Sequence, residues 1–461
     1  MGVDNRIFTD GKVGRVLFKF ALPAIISLFV AELYNMVDTF YVGRFVGPNA
    51  IAALTIAFPI QRLLMATGIL VSIGVSTAVA RYLGEENYDD LKKSINNAFI
   101  LTILLLTVMP LAIFLFKEPI ITRLGASAVI YPYAEKYISV ILIGGLFQCL
   151  TLVSCYIMTA LGNTKITLVA TSLGAILNII IDFVLVVVFP MGVMGAAIST
   201  VVSQIASFVF AIYKFSKVGK ALNLKWSFNL DKEITKSIIA IGFSSFIIEI
   251  SDAIVAVLLN NILAAKGGDA AIVIVGVVTR ISMFLYITVI GISSAMQPIA
   301  AFNYGAKNYK RLREVVKKAI KAVCITSAIV WAVMMVFPKP IIGSFLQEKE
   351  LLGSSIVAFR TCISFFPVLG IYYVSIYLYQ AIEEAKSSFI LSIYRQLILF
   401  IPLVILLVNV LGMKGAWITF PITDVVSAAT GFYYIKKASK ILEEEQAAEI
   451  EEKEVESLNF S

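Results

Sequence analysis

The sequence predicts an all-α membrane protein of twelve transmembrane helices in two pseudo-symmetric six-helix bundles. Three observations predict it: long apolar runs, an uneven distribution of basic residues between alternate loops, and an internal repeat at an offset of 221 residues. Of 461 residues, 59% are hydrophobic and 15% charged, which is outside the balance of a soluble domain. A helix needs about 20 apolar residues to cross the hydrocarbon core. Twelve such runs are present, at residues 16–42, 50–80, 95–116, 133–161, 166–189, 194–214, 237–264, 271–300, 317–337, 355–381, 388–411 and 414–435. They are continuous and lack the alternation of barrel strands, so helices are expected. The resulting layout is a cytoplasmic N-terminus (1–15), an N-terminal bundle (16–216), a cytoplasmic linker (217–236), a C-terminal bundle (237–437) and an acidic cytoplasmic tail (438–461).

The first run contains Pro23, Glu32 and Asp38 and is longer than a signal-peptide core, so no cleavage is expected there. The loops fix the orientation. With the N-terminus inside, 25 Lys and Arg residues fall on the cytoplasmic side, including the cluster Lys307, Lys310, Arg311 and Arg313, against 8 outside. That excess places both termini in the cytoplasm of a multi-pass cell-membrane protein. The net charge of +8 therefore points to anionic headgroups and not to nucleic acid. From Glu443 to Glu456 the tail carries eight glutamates and one lysine, which predicts a solvated, largely disordered end.

The repeat organises the chain. Gly84-Glu-Glu-Asn87-Tyr88 after the second span returns as Gly305-Ala-Lys-Asn308-Tyr309 after the eighth. The same offset pairs Tyr156, Ala160 and Lys165 with Tyr377, Ala381 and Lys386, and an offset of 220 pairs Gly192, Gly195 and Ala196 with Gly412, Gly415 and Ala416. Six spans per copy return the chain to its starting side, so the halves are parallel repeats about an axis normal to the membrane. That design commonly encloses a midplane site with alternating access.

Ionisable residues inside spans are costly and each needs a reason. Span 1 holds Glu32, Tyr34, Asn35 and Asp38, with Asn35 and Asp38 on one face. Span 5 holds Asn178 and Asp182 on one helical stripe, and span 6 adds Ser199, Thr200, Ser203 and Gln204. Oxygen ligands of this kind suit a hard cation such as Na+ or a shared proton. Small hydroxyls such as Thr200 and Ser203 also serve as helix-packing residues. In the second half, Glu249 and Asp252 lie in span 7, Arg280 in span 8 and Arg395 in span 11. Glu249 either faces a cavity and attracts a cationic substrate or pairs with Arg280 as a brace. Pro23, which removes a backbone hydrogen bond in the span carrying Asp38, is the candidate hinge.

Competing chemistry finds no support. There is no Walker glycine loop, no Gly-x-Ser-x-Gly elbow and no metal-ligand cluster. The chain has no histidine, and its four cysteines lie in spans without paired spacing. No enzyme activity and no cofactor are expected.

Leu33-Tyr-Asn-Met-Val-Asp38-Thr-Phe-Tyr-Val-Gly43, Leu161-Gly-Asn163-Thr-Lys165, Asn178-x-x-x-Asp182 and Gly192-x-x-Gly195-Ala-Ala together resemble the multidrug and toxic compound extrusion transporters. The resemblance covers essentially all twelve spans and is closer to the DinF/MepA-like branch with aspartates in spans 1 and 5. It implies a secondary exporter of cationic or amphipathic organic compounds, antiporting them against Na+ or H+. A monomer is sufficient for such a mechanism. In that branch the cation site corresponds to Asp38, Asn178, Asp182 and Thr200, and the bending proline to Pro23. Glu32, Tyr34, Asn35, Glu249 and Arg280 are the candidates for the substrate cavity. A second branch uses acidic residues of spans 7 and 10. Glu249 fits the first of these, but the core of span 10 has no carboxylate, and Glu383 and Glu384 lie at its cytoplasmic end. The alternative is a flippase of the same superfamily for lipid-linked envelope precursors, whose pyrophosphate would favour Arg and Lys in the cavity.

Overall fold

The computed structural model describes residues 6–9, 11–346 and 349–459. Among these there is no strand. Among the described residues ten helices are long and apolar enough to cross a membrane. An eleventh crossing is the bent pair Leu352–Cys362 and Phe366–Ala381, which turns by 48°. The remaining apolar run, 414–435, forms the first part of the helix Met413–Asn459. Large apolar side chains such as Phe40, Leu115, Val336 and Val410 lie exposed on the helix surfaces, as lipid requires.

The repeated motif explains its own sequence. Both copies make a tight turn through a left-handed residue, Glu86 at φ 57° in one and Lys307 at φ 53° in the other. The asparagine that follows then caps the next helix: Asp90 N donates to Asn87 Oδ1 at 3.2 Å, and Arg311 N donates to Asn308 Oδ1 at 3.1 Å. The helices so begun are Tyr88–Leu115 and Tyr309–Val336. Leu91 and Ile95, on one face of the first, are fully buried.

Irregular backbone falls where the sequence permits it. Gly268, at φ 62° and ψ −158°, breaks the run Lys232–Gly305 into two spans. Span 5 is α-helical over Ile166–Asp182 and π-helical over Phe183–Val188. Span 11 contains a π-helical stretch at Tyr394–Phe400. Such stretches are frequent at functional sites.

Contacts divide the chain into two compact units. The first comprises chiefly Pro23–Val79 and Asn87–Ala253, and the second Phe8–Leu22, Ala80–Glu86 and the chain from Ile254 onward. Within the first unit, spans 2 and 7 cross at two glycines: a methyl group at Gly74 would strike the Ile238 carbonyl, and one at Gly242 the Leu70 carbonyl. The segment between Ala221 and Lys232 is held in this unit by side-chain amides. Asn96 donates to the Lys225 carbonyl at 2.9 Å and Asn97 to the Asp231 carbonyl at 2.9 Å.

In the second unit the acidic tail is not a disordered end over its described residues. The helix of span 12 continues through it to Asn459. Ala438 and Leu442 are buried, Tyr304 Oη donates to Glu445 at 3.2 Å, and Arg313 donates to Gln446 at 2.6 Å. A helix already nucleated in the membrane extends at little cost through Glu, Ala, Lys and Leu. Residues 460 and 461 lie outside the described residues.

Candidate functional site

The residues read from the sequence as a cation site converge within the first unit. Asp38 comes from the helix Val13–Tyr41, Asn178 and Asp182 from the last turns of Ile166–Asp182, and Thr200 from Gly192–Ala221. All four are buried, Asp182 completely and Asp38 to 8% exposure. Asp38 and Asp182 lie close enough for their charges to interact. Asn178 Nδ2 donates to Ser199 Oγ at 3.0 Å and reaches Thr200 Oγ1 at 3.5 Å. Ser199 returns its hydroxyl proton to the Asn178 carbonyl at 3.0 Å, and Thr200 donates to the Ala196 carbonyl at 3.0 Å.

The consequence is an excess of acceptors. Both carboxylate oxygens of Asp182, one of Asp38 and the side-chain oxygen of Asn178 are buried and receive no hydrogen bond. Buried polar oxygens are normally satisfied, so four orphans in one cluster need an explanation. Two neighbouring carboxylates in a low-dielectric interior require a proton or a cation between them. The donor set is oxygen only. Among the described residues no group of three His, Cys, Asp or Glu gathers that would suit a transition metal. The set fits Na+ or a proton.

Around this cluster, Tyr34 and Tyr137 lie close enough to feel the charge of both aspartates, and Tyr34 also that of Glu32. Gln61 donates to Tyr137 Oη at 3.3 Å. Glu32 is half-buried and Asn35 exposed, with the Asn35 carbonyl accepting from Thr39 at 2.9 Å. The sequence singles out neither Tyr137 nor Gln61, because an aromatic or an amide in a span carries no cost that demands a partner. Pro23 is buried within its helix, and its carbonyl accepts from Ser27 Oγ at 2.7 Å. It is also the residue at which the chain passes from one compact unit to the other.

Of the two readings of Glu249, a cavity residue or a brace with Arg280, the structure gives it a different partner. Glu249 is bound by Arg62 of its own unit at 2.9 Å, with both side chains partly exposed, and Arg280 is exposed in the second unit. Arg62 comes from span 2 and reaches across because spans 2 and 7 approach closely at Gly74 and Gly242.

The second unit holds a different buried cluster. Arg395, 4% exposed, donates to Asp424 at 2.9 Å and to Tyr286 Oη at 2.8 Å. Asp424, 2% exposed, escaped the sequence analysis. The signal for it was Arg395 itself, since a guanidinium in a span needs a carboxylate.

A chain of apolar helices built as a duplicated set of six spans, with a buried oxygen cluster in one unit, has the form of a membrane transporter. The chain belongs to the MatE family, whose profile matches residues 23–184 and 240–406. It is 24% identical over 446 residues to a FAD transporter of Shewanella oneidensis, covering 94% of this chain and 97% of that one. It is 23% identical to the multidrug export protein MepA of Staphylococcus saprophyticus, covering 91% and 93%. Among solved structures it superposes on the outward-facing conformation of a multidrug resistance MATE family transporter with a TM-score of 0.91, at 24% identity, over 96% of this chain and 100% of that one. A MOP superfamily transporter from Pyrococcus furiosus gives 0.90 at 25% identity, over 96% and 98%. The fold is thus the twelve-helix, two-bundle fold of this family, and the protein is a MepA-like multi-pass membrane transporter.

Proposed function

We propose that this transporter exports organic compounds, cationic or amphipathic in character, in exchange for Na+ or H+ by alternating access. The observation that carries the proposal is the buried pair Asp38 and Asp182 with its unpartnered oxygens. A site short of positive charge is stable when a cation or proton fills it, so its occupancy can be tied to the conformation of the chain. Asn178 and Thr200 complete the ligand set, and Pro23 supplies the joint through which the charge state of Asp38 acts on span 1.

The cargo class follows from the balance of charge. Arg62 is matched by Glu249 and Arg395 by Asp424, so these two guanidinium groups are not free to receive an anion. Glu32, Tyr34 and Asn35, on the span that carries Asp38, supply acidic and aromatic surface for a cation. The relatives named multidrug export protein support the export of organic compounds. The basic residues on the side of the termini support a cell-membrane protein with both ends in the cytoplasm, next to anionic lipid. One copy of the chain holds the whole cation cluster, so a monomer suffices.

The test is efflux of a fluorescent organic cation from proteoliposomes under separately imposed proton and sodium gradients, with Asp38→Asn and Asp182→Asn beside the wild type. Gradient-driven movement that both substitutions abolish supports the proposal, and the effective gradient names the ion. Folded wild-type protein that moves no cation under either gradient sinks it and favours lipid-linked precursors or an anionic cargo such as that of the FAD-transporting relative.

A further inference from the structure

The second unit contains a feature that the cation site does not use. Gly84 and Gly305, the two glycines of the repeated motif, lie against each other. A methyl group at Gly84 would strike the carbonyl of Phe302, and one at Gly305 would strike the carbonyl of Arg81. Each carbonyl belongs to the residue three positions before the other glycine, so the contact is reciprocal, with the local two-fold relation that the duplication implies. Only glycine permits backbones to approach this closely.

Beside this contact, Arg81 forms an ion pair with Glu383 and approaches Glu85 at 3.4 Å. Arg81 and Glu383 are each 19% exposed and stand 302 residues apart in the chain. Glu383 takes the same left-handed backbone as Glu86 and Lys307. Its φ is 59°, and its repeat counterpart, Gly162, has φ 90°. A glutamate kept where its counterpart is glycine is a strained choice, and such strain clusters where a side chain has work to do. Here that work is to hold Arg81.

We infer that the Gly84–Gly305 contact, fastened by Arg81 and Glu383, is a cytoplasmic latch of the transport cycle, so that Arg81 and Glu383 are positioning residues for transport. The inference rests on the alternating-access function proposed above. It joins the end of span 2, from the first sequence half, to the ends of spans 8 and 10, from the second, and these must part when that side opens. With the latch formed, the ends of spans 2, 8 and 10 are held together.

Two measurements test it. In the first, spin labels at Glu86→Cys and Lys307→Cys, both exposed and both in the second unit, report the separation by pulsed EPR without any cargo. One short distance is expected in otherwise native protein, and Glu383→Gly should add a longer population. In the second, Arg81→Cys with Glu383→Cys is joined by a cleavable thiol cross-linker, which should stop efflux until it is cleaved.

Glu383→Gly is informative because glycine suits that backbone. Its melting midpoint should hold or rise while efflux falls about tenfold, as expected when a two-state balance is displaced by one such pair. The exchanged pair Arg81→Glu with Glu383→Arg should recover most of what either change alone loses. An unchanged distance distribution in Glu383→Gly, or full efflux through cross-linked protein, overturns the latch. Wild-type liposomes that move no cargo would instead overturn the export proposal, and the EPR measurement would still decide the latch.

Discussion

Each unit buries aspartate within a span, and the surroundings are opposite. In the first, Asp38 and Asp182 lie together, three of their four oxygens buried without a donor. In the second, Asp424 meets Arg395 at 2.9 Å, and Tyr286 takes a further guanidinium hydrogen. An ionisable residue in a membrane span suggests function by default. The difference shows that the decisive observation is whether the protein supplies the counter-charge. Where it does, the group is a brace; where it does not, the group is the basis of the ion site proposed above.

The largest effect that can break this comparison is on the brace. Asp424→Asn leaves the buried Arg395 uncompensated and should cost about 3–5 kcal/mol, read as a lowered melting midpoint in detergent. Replacing both partners, Arg395→Met with Asp424→Leu, should restore most of it. A single variant that melts like the wild type would remove the distinction between the clusters.

Next comes the ion site. Asp38→Asn or Asp182→Asn should lower initial efflux about a hundredfold, or about 2.7 kcal/mol, in initial-rate assays. The midpoint should hold or rise, because a carboxyl without a donor has been removed. Third, the coupling ion at about a hundredfold excess over its dissociation constant should stabilise the wild type by about 2.7 kcal/mol in a melting titration, and this gain should vanish in Asp182→Asn. Stabilisation by sodium at fixed pH, or by acid without sodium, identifies the ion. The smallest effect is expected of Asn178→Ala, which removes one neutral ligand and the donor to Ser199, a change of about 1–2 kcal/mol. It should appear as a shift in the ion concentration giving half-maximal efflux, with the maximal rate nearly kept.

The members of the buried carboxylate cluster were legible in the sequence because carboxylates in apolar runs are conspicuous and because Asn178 and Asp182 share a stripe. What brings Asp38 to Asp182 is tertiary packing, which periodicity does not encode. Asp424 was missed for the complementary reason: it is the silent partner of a conspicuous arginine. The partner of Glu249, Arg62, was hidden because the crossing of spans 2 and 7 at Gly74 and Gly242 depends on close backbone approach, and a lone glycine does not disclose what approaches it. The repeat was visible, yet the mutual contact of Gly84 and Gly305 was not. The bend after Cys362 was likewise hidden, although Pro367 sits just beyond it and disfavours helix in the residue it follows.

The helix from Met413 to Asn459 gives the molecule a built-in pointer. At about 1.5 Å per residue its 47 residues form a rod on the order of 70 Å long, one part among apolar spans and the other among glutamates. Beyond Pro421 neither loop nor proline interrupts it, so any tilt or rotation of the membrane part that follows Pro421 is carried outward and magnified at the far end. A rigid fluorophore near Glu444 would therefore follow the cycle by polarised emission in single molecules.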